Sequence, residues 1–412
     1  MMTNNGVGKE KNSKSLLGGI RILELGHALA GPFSATLLAD FGAEVIKVEE
    51  PGIYDSLRAS APKKKQVSLW WKVTGRNKKT ITLNLKEPKG QEICKQLISK
   101  CDAIVENFRP GTLEKWNLGW DKLRVVNPSL VMLRVTGYGQ TGPYSPRPGF
   151  GKAAEAMSGV MQITGHPDRQ PISPGFSFAD TVSGLTGAFA LMMALYHRDG
   201  LGTKMGQVID VALFESVFRL IEWQAILYDQ LGVIPKRKGA NFALESSFLI
   251  NNYLTKDNKW VAVSAASRAV LDRVLKLIGG DKLVFDDRFN NNEKVTLHMN
   301  ELDAIVSNWM KEHEQKEIVK LFSEAGAVAA PIYDIKEIFE DVHYSERNDI
   351  ITLDDPDLGR LRMVGVMPKF PSMPGKVRWA GASVGAFNQE VYCGLLGMTP
   401  AELESLKGKG II

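Results

Sequence analysis

From residue 19 onward the apolar positions keep two alternating rhythms. Short runs, apolar throughout or alternating in pairs, predict strands: "IRILEL" (20–25), "EVIKVE" (44–49), "TITLNL" (80–85), "DAIVEN" (102–107) and "SLVMLRVTG" (129–137). Between them lie longer runs with helical spacing. "GPFSATLLADFGA" carries Pro32 in its first turn and Gly42 at its end, and "PKGQEICKQLISKC" leads into the fourth strand. Strands separated by helices predict βαβ units, hence an α/β fold with a mainly parallel sheet covered on both faces. Ligands in such folds sit beyond the carboxyl ends of the strands. The loops "GHALAGP", "EEPGIYDSLR", "NFRPG" and "TGYGQTGP" each follow a strand and become the places to look.

The pattern then changes. A helix-rich stretch runs over 151–197, followed by the strand "GQVIDVAL" and a helix expected over 214–231. The basic "PKRKGANF" reads as a linker. The segment after it has its own strand ("KWVAVSA") and helices ("RAVLDRVLKLIGG", "LDAIVSNWMKEHEQKEIVKLFSEAG"). The expected organisation is a disordered tail over 1–18, a large domain over 19–230, a linker over 231–245, a small domain over 246–331, and a return to the large domain over 332–412. That last part holds a hairpin, "DIITLDDPDLGRLRMVG", and a final helix near 400–407.

Composition removes several function classes. The chain has 412 residues, and a net charge of only +5 without interleaved aromatic and basic clusters argues against nucleic acid. Three cysteines, Cys94, Cys101 and Cys393, without a CxxC, predict inert thiols in a reducing compartment. The polar start lacks an apolar signal core, and the apolar run over 185–195 is interrupted by Thr186 and Gly187. We therefore expect a cytoplasmic protein without a membrane span. The loop after the first strand reads "ELGHALAGP" and not GxGxxG. No phosphate-binding P-loop or HExxH occurs, so dinucleotide and metal chemistry are not indicated.

The glycine-containing loops at the strand ends remain, with Arg109 and Lys115 available to phosphate and an aromatic face at Tyr138. They suggest a nucleotide-like ligand. The motifs "GIRILELGHALAGPF", "LLADFGAEVIKVEEP", "GRNKKTITLNLK", "DAIVENFRPGTLEKWNLGWDKL", "NPSLVMLRVTGYGQTGP", "FADTVSGLTGAFALMMALYHRD" and "GQVIDVALFES" follow in that order. They resemble the class III (CaiB/BaiF-type) coenzyme A-transferase family, to which formyl-CoA transferase and crotonobetainyl-CoA:carnitine CoA-transferase belong. The late "GAVAAPIYDIKEIFED" is similar to the family too, whereas residues 240–320 resemble it weakly.

The resemblance implies a Rossmann-like large domain, built from the N-terminal part and the C-terminal tail, with a smaller α+β domain. It implies an interlocked dimer, as a homodimer or with a related subunit, and no permanently bound cofactor or metal. Coenzyme A and acyl-CoA are then substrates. It further implies a nucleophile at Asp180 and coenzyme A contacts from Ala30, Leu83, Asn107, Phe108 and Lys115, with Arg109 beside them. His27, Leu29, Tyr138, Phe150 and Gly151 would line the acid pocket. His27 is expected to orient a carboxylate, and His166 and Arg169 lie on a nearby stretch of sequence. Departures are informative. Leu29 stands where formate- and oxalate-handling members carry glutamine, Phe150-Gly151 replaces their Tyr-Glu pair, and a four-glycine lid is missing. A larger, more apolar acid site follows, suited to branched, dicarboxylic or aromatic acids with succinyl-CoA as donor. Phe150 also replaces the acid/base histidine of the α-methylacyl-CoA racemases, which counts against that alternative. A CoA-binding but non-catalytic subunit is the other alternative.

Asp180 itself precedes an apolar run, so by sequence alone it is a helix N-cap accepting from the N–H of Val182 or Ser183. The resemblance makes it the nucleophile. The two roles are compatible, because a helix N-terminus favours the ionised carboxylate that attack on a thioester requires.

Overall fold

A computed structural model describes residues 15–241, 243 and 248–412. Residues 1–14 of the expected tail and five positions of "NFALESS" lie outside the described residues. Residues 15–18, assigned to that tail from sequence, form a turn in which the Leu17 N–H donates to the Phe41 carbonyl over 3.0 Å. The chain divides into two compact units. The first holds residues up to Ser158 with Pro174–Leu220 and His343–Ile412, and the second holds Gly159–Ser173 and Ile221–Val342.

The first unit is built on a six-stranded sheet. Its elements are β1 (Arg21–Glu24), α1 (Ala30–Asp40), β2 (Glu44–Glu49), β3 (Lys78–Thr82), α2 (Pro88–Ile98), β4 (Ala103–Glu106), β5 (Val131–Thr136), α3 (Gly151–Met157), α4 (Phe178–Leu195), β6 (Gln207–Ala212) and α5 (Leu213–Phe218). The strand order is β3-β2-β1-β4-β5-β6 and all pairings are parallel, with Leu23 beside Ile46 and Ile104. Strands buried on both faces read as continuous apolar runs, as β4 and β5 do, whereas the edge strand β6 alternates between covered and open positions. The third strand starts at Lys78, two residues earlier than its alternation suggested, and ends at Thr82.

One face of the sheet packs Leu23, Ile46, Ile81 and Ile104 against Cys94 and Leu97 of α2 and against Tyr392, Leu403 and Ile411. The C-terminal residues also close the β3 edge, which would otherwise be open to pairing. The Phe387 N–H donates to Thr80 O (3.0 Å), the Asn84 N–H to Ile411 O (2.8 Å) and the Tyr392 hydroxyl to Thr82 O (2.6 Å). Cys94 and Cys101 sit in this core, and burial pushes the Cys94 thiol up to about 12, so it stays protonated and inert.

The other face carries α1 and α4, and glycine decides how closely they approach. A Cβ on Gly184 would lie 2.9 Å from the Ala30 carbonyl oxygen, and one on Gly187 would lie 2.6 Å from Ser34 Oγ. Ser34 Oγ donates to the Gly184 carbonyl over 2.8 Å. The helix that holds the apolar run continues through the polar residues 196–200, giving a helical stretch of 23 residues in which an 18-residue window has mean hydropathy 1.4. By length and composition it could cross a bilayer, yet its Ala179, Ser183, Gly184, Gly187 and Leu191 are buried against the first unit. Its opposite face, Leu185, Phe189, Met193 and Tyr196, is exposed.

The expected helix over 214–231 is broken: α5 ends at Phe218, a 3-10 turn spans Arg219–Ile221, and a new helix covers Trp223–Leu231. The second unit has a three-stranded antiparallel sheet of Leu249–Leu254, Trp260–Ala265 and Ala329–Pro331. The helices Arg268–Val284, Met299–Met310 and Gln315–Glu324 cover it through Leu271, Val274, Val306, Ile318 and Phe322. The stretch read as one long helix over 302–326 is thus two. In the first unit, Ile350–Asp355 and Gly359–Val364 form the expected antiparallel hairpin.

Candidate active site at the carboxyl edge of the sheet

β1 and β4 are neighbours although two strands separate them in sequence, so the strand order reverses between them. A crevice opens beyond the carboxyl ends at such a point. The chain leaves β1 through Gly26-His27-Ala28 and leaves β4 through Asn107-Phe108. The Asn107 amide joins the two exits: the His27 N–H donates to Asn107 Oδ1 and Asn107 Nδ2 donates to the His27 carbonyl, each over 2.8 Å. Gly26 makes this possible, because a Cβ there would lie 2.6 Å from Asn107 Oδ1. The next residue, Ala28, takes a left-handed conformation (φ 58°), and its N–H donates to Asp55 Oδ1 (3.2 Å).

Beneath this loop lies a cluster of buried charges that sequence reading did not find. Lys47 Nζ is 2.8 Å from Asp55 and 3.1 Å from Glu24, and it also donates to the Gly26 carbonyl. Lys78 Nζ is 2.7 Å from Glu24 and 2.8 Å from the Pro32 carbonyl at the start of α1. Burial works against every charge here. The carboxylates nonetheless hold the Lys47 ammonium protonated, and that ammonium in turn keeps Asp55 below the usual carboxylate range. Burial and then the Lys47 charge push the His27 imidazole below its ordinary value, so it is neutral at pH 7. The signal available in sequence was the acid and base at alternate positions of apolar strands, Glu24 and Lys47, which point to one face.

His27 meets Phe108 edge-on, with ring centroids 5.5 Å apart, and Phe108 meets Trp116 at 5.1 Å. A cavity of ≈ 40 Å³ lies among Leu25, His27, Leu83, Phe108 and Trp116, with the Lys86–Glu50 ion pair at 2.7 Å on its wall. Three residues expected from sequence, His27, Leu83 and Phe108, are therefore together, while Leu29 and Ala30 are buried where α1 begins. Arg109 and Lys115 are exposed. "NFRPG" opens onto a single helical turn, Thr112–Lys115, entered through Gly111 at φ 84°.

Asp180 is not the helix cap. The helix starts at Phe178, so Asp180 is its third residue, and Ser177 at the cap position makes no side-chain bond. The vacant cap is supplied from α3: the Ala179 N–H donates to Glu155 Oε1 over 3.3 Å, and Glu155 is only 3% exposed. No described group donates a hydrogen bond to the Asp180 carboxylate, which stands against Gly151 so closely that a Cβ there would be 2.6 Å from Oδ2. Burial, followed by the Glu155 charge, raises Asp180 to about 6. The helix terminus was expected to favour ionisation, but these two effects outweigh it. Just upstream, Phe176 is exposed and meets Phe178 edge-on.

Gly151 begins α3 after Phe150, whose side chain is 78% exposed. Tyr138 lies near Tyr144 and Phe214, and the adjacent Gln140 N–H is held by Asp210 Oδ2 at 2.8 Å. His166 and Arg169 belong to the second unit. The crevice at the β1–β4 exits and Asp180 are linked through α1, because the Ala30 carbonyl packs on Gly184, one turn along α4 from Asp180. A half-buried, unpartnered carboxylate close to half ionised near pH 6 suits nucleophilic attack at neutral pH. Among the described residues no three His, Cys, Asp or Glu side chains are grouped to hold a metal ion.

Residues 17–386 match the sequence model of CoA-transferase family III. The chain is 41% identical over 394 residues to the succinyl-CoA–D-citramalate CoA-transferase of Chloroflexus aurantiacus, covering 95% of this chain and 97% of that protein. It is 39% identical to the succinyl-CoA–L-malate CoA-transferase beta subunit of the same organism, covering 96% and 98% of the two chains. A CaiB/BaiF family protein from Brucella suis, known as a crystal structure, superposes with a TM-score of 0.80 at 28% identity, covering 93% of this chain and all of that one.

Proposed function

The chain belongs to CoA-transferase family III and is an acyl-CoA:carboxylate CoA-transferase, and from that premise we propose that Asp180 carries the transfer as an aspartyl-CoA thioester, with succinyl-CoA as donor and a small dicarboxylic acid as acceptor. The observation that carries the Asp180 role is its unpartnered carboxylate, raised to about 6 and pressed against Gly151. The acceptor class rests on the relatives, one named for citramalate and one for malate, both hydroxydicarboxylic acids.

The cycle balances without ATP. The Asp180 carboxylate attacks the succinyl thioester carbonyl, the C–S bond breaks, and a mixed anhydride and free CoA thiolate result. The thiolate attacks the aspartyl carbonyl and expels succinate, leaving the aspartyl-CoA thioester. The acceptor carboxylate then displaces the thiolate to give a second anhydride. The thiolate attacks the acceptor carbonyl, releasing the product thioester and the Asp180 carboxylate. Coenzyme A is substrate throughout, and no permanently bound cofactor takes part.

In this reading the crevice at the β1–β4 exits takes the coenzyme A end. Ala30, Leu83, Asn107, Phe108, Arg109 and Lys115 contact it, the last two as cations facing phosphate. Asn107 has one amide N–H left for a ligand after holding His27. Neutral His27, with Leu29, Tyr138, Phe150 and Gly151, borders the acid. An interlocked pair of chains, of one kind or with a related subunit, would cover the exposed face Leu185, Phe189, Met193 and Tyr196. The beta-subunit name of one relative supports the mixed pair. Mass spectrometry after incubation with succinyl-CoA tests the core of the reading. A hydroxylamine-sensitive CoA adduct on the Asp180 peptide is expected, and an adduct elsewhere or none would overturn it.

A further inference from the structure

Glu155 takes no part in the cycle above, yet among the described residues it is the only acid side chain that both holds the start of α4 and bears on the Asp180 charge. Its carboxylate is almost wholly buried, on the middle of α3, and receives the N–H of Ala179, the residue immediately before Asp180. A serine cap would have satisfied that N–H without bringing a full negative charge. Ser177 occupies the cap position and leaves the work to Glu155.

Other ionisable groups on the elements packed around α4 are accounted for elsewhere. Asp40 on α1 is held by Arg76, Arg134 on β5 by Glu106 and Glu114, and Asp210 on β6 by the Gln140 N–H. Lys152 on α3 and Glu215 on α5 are exposed. Glu155 is the one charge among them that acts on Asp180.

We propose that Glu155 is a positioning residue that fixes Asp180 through the Ala179 N–H and, by its charge, favours every acylated state of Asp180 over the free carboxylate. The proposal rests on Asp180 being the acylated group. Its logic follows from the charges. Anhydride and thioester at Asp180 are neutral, the negative charge having left on CoA thiolate or on the released acid. Repulsion from Glu155 therefore acts on the free carboxylate alone and disappears on acylation. The same repulsion makes the carboxylate a stronger nucleophile, because basicity and nucleophilicity rise together.

Glu155→Gln separates the two actions, since its amide oxygen still accepts from Ala179 while the charge is gone. With succinyl-CoA as probe, quenched-flow mass spectrometry gives the rate and final level of CoA adduct on Asp180 across pH. In the wild-type protein the acid limb should fall near pH 6. In the variant it should move towards the ordinary aspartate range, with the adduct level reduced roughly 3- to 10-fold, the effect of about half to one pKa unit. A purely structural role would alter rates without moving the limb. An unmoved limb with a wild-type adduct level overturns the proposal and leaves the transfer reading standing. A wild-type limb near pH 4 overturns it too, however the variant folds. No adduct on Asp180 in the wild-type protein overturns both.

Discussion

The α-carbon of Gly151 approaches the Asp180 carboxylate so closely that a single added methyl group would lie 2.6 Å from Oδ2. That contact lies between the first residue of one helix and the third of another, 29 positions along the chain, and it defines the wall against which the carboxylate rests. Gly151→Ala should push the carboxylate aside while the backbone conformation remains available to alanine. The expected result is a fall in kcat on the order of 100-fold, as for other ~1 Å misplacements of reacting groups, with a thermal midpoint within a few degrees of wild type. Steady-state kinetics beside a melting curve checks it.

Asp180→Asn should abolish transfer, by at least about 1000-fold, because the proposed nucleophile is lost. It should also stabilise the fold. The folded-state value of about 6 exceeds the ordinary 3.8, so the native protein binds the proton more tightly and stability falls as pH rises between those values. The penalty is complete above the folded value and absent below the unfolded one. Denaturant titration should therefore show the asparagine variant ahead by about 2 kcal/mol at pH 7.5, discounted for partial solvent screening. The advantage should vanish near pH 4.

Asn107→Ala removes both hydrogen bonds that hold the His27 main chain to the exit of β4. A loss of about 2 kcal/mol in stability is expected. The KM for acyl-CoA should rise more than kcat falls, since the loop borders the proposed coenzyme A crevice. A variant with unchanged KM would place coenzyme A elsewhere.

Lys47→Met leaves Glu24 and Asp55 buried beside each other with the cation between them removed. Breaking one partner of a buried ionic group costs about 3–5 kcal/mol, enough to unfold many domains. Poor soluble yield or a strongly lowered denaturant midpoint is expected, whereas an exposed pair such as Lys89–Glu92 should be replaceable without measurable effect.

How much of this was readable beforehand depends on the range of the forces involved. The strands at the carboxyl edge, the helix after β1 and the parallel sheet follow from apolar spacing, because burial on both faces writes itself into consecutive residues. "EVIKVE" is β2 to the residue. The family motifs also brought His27, Leu83, Phe108, Gly151 and Asp180 to attention, as positions along a line. The break of the helix at Arg219 was invisible, since the apolar pattern runs on through it while the chain passes from the first compact unit to the second.

Sequence alone thus determined the sheet, its loops and the identity of the candidate nucleophile. Tertiary structure decided the state of that nucleophile. A helix terminus is a local feature and predicted an ionised aspartate at the cap. Burial and the charge of Glu155, 25 residues away, act through space, and they reversed the direction of the shift. The same holds for Asn107 and Lys47, whose partners are separated from them by 80 and 21 positions. Short-range pattern sets which elements form; which charges share a low-dielectric interior is fixed only when those elements pack.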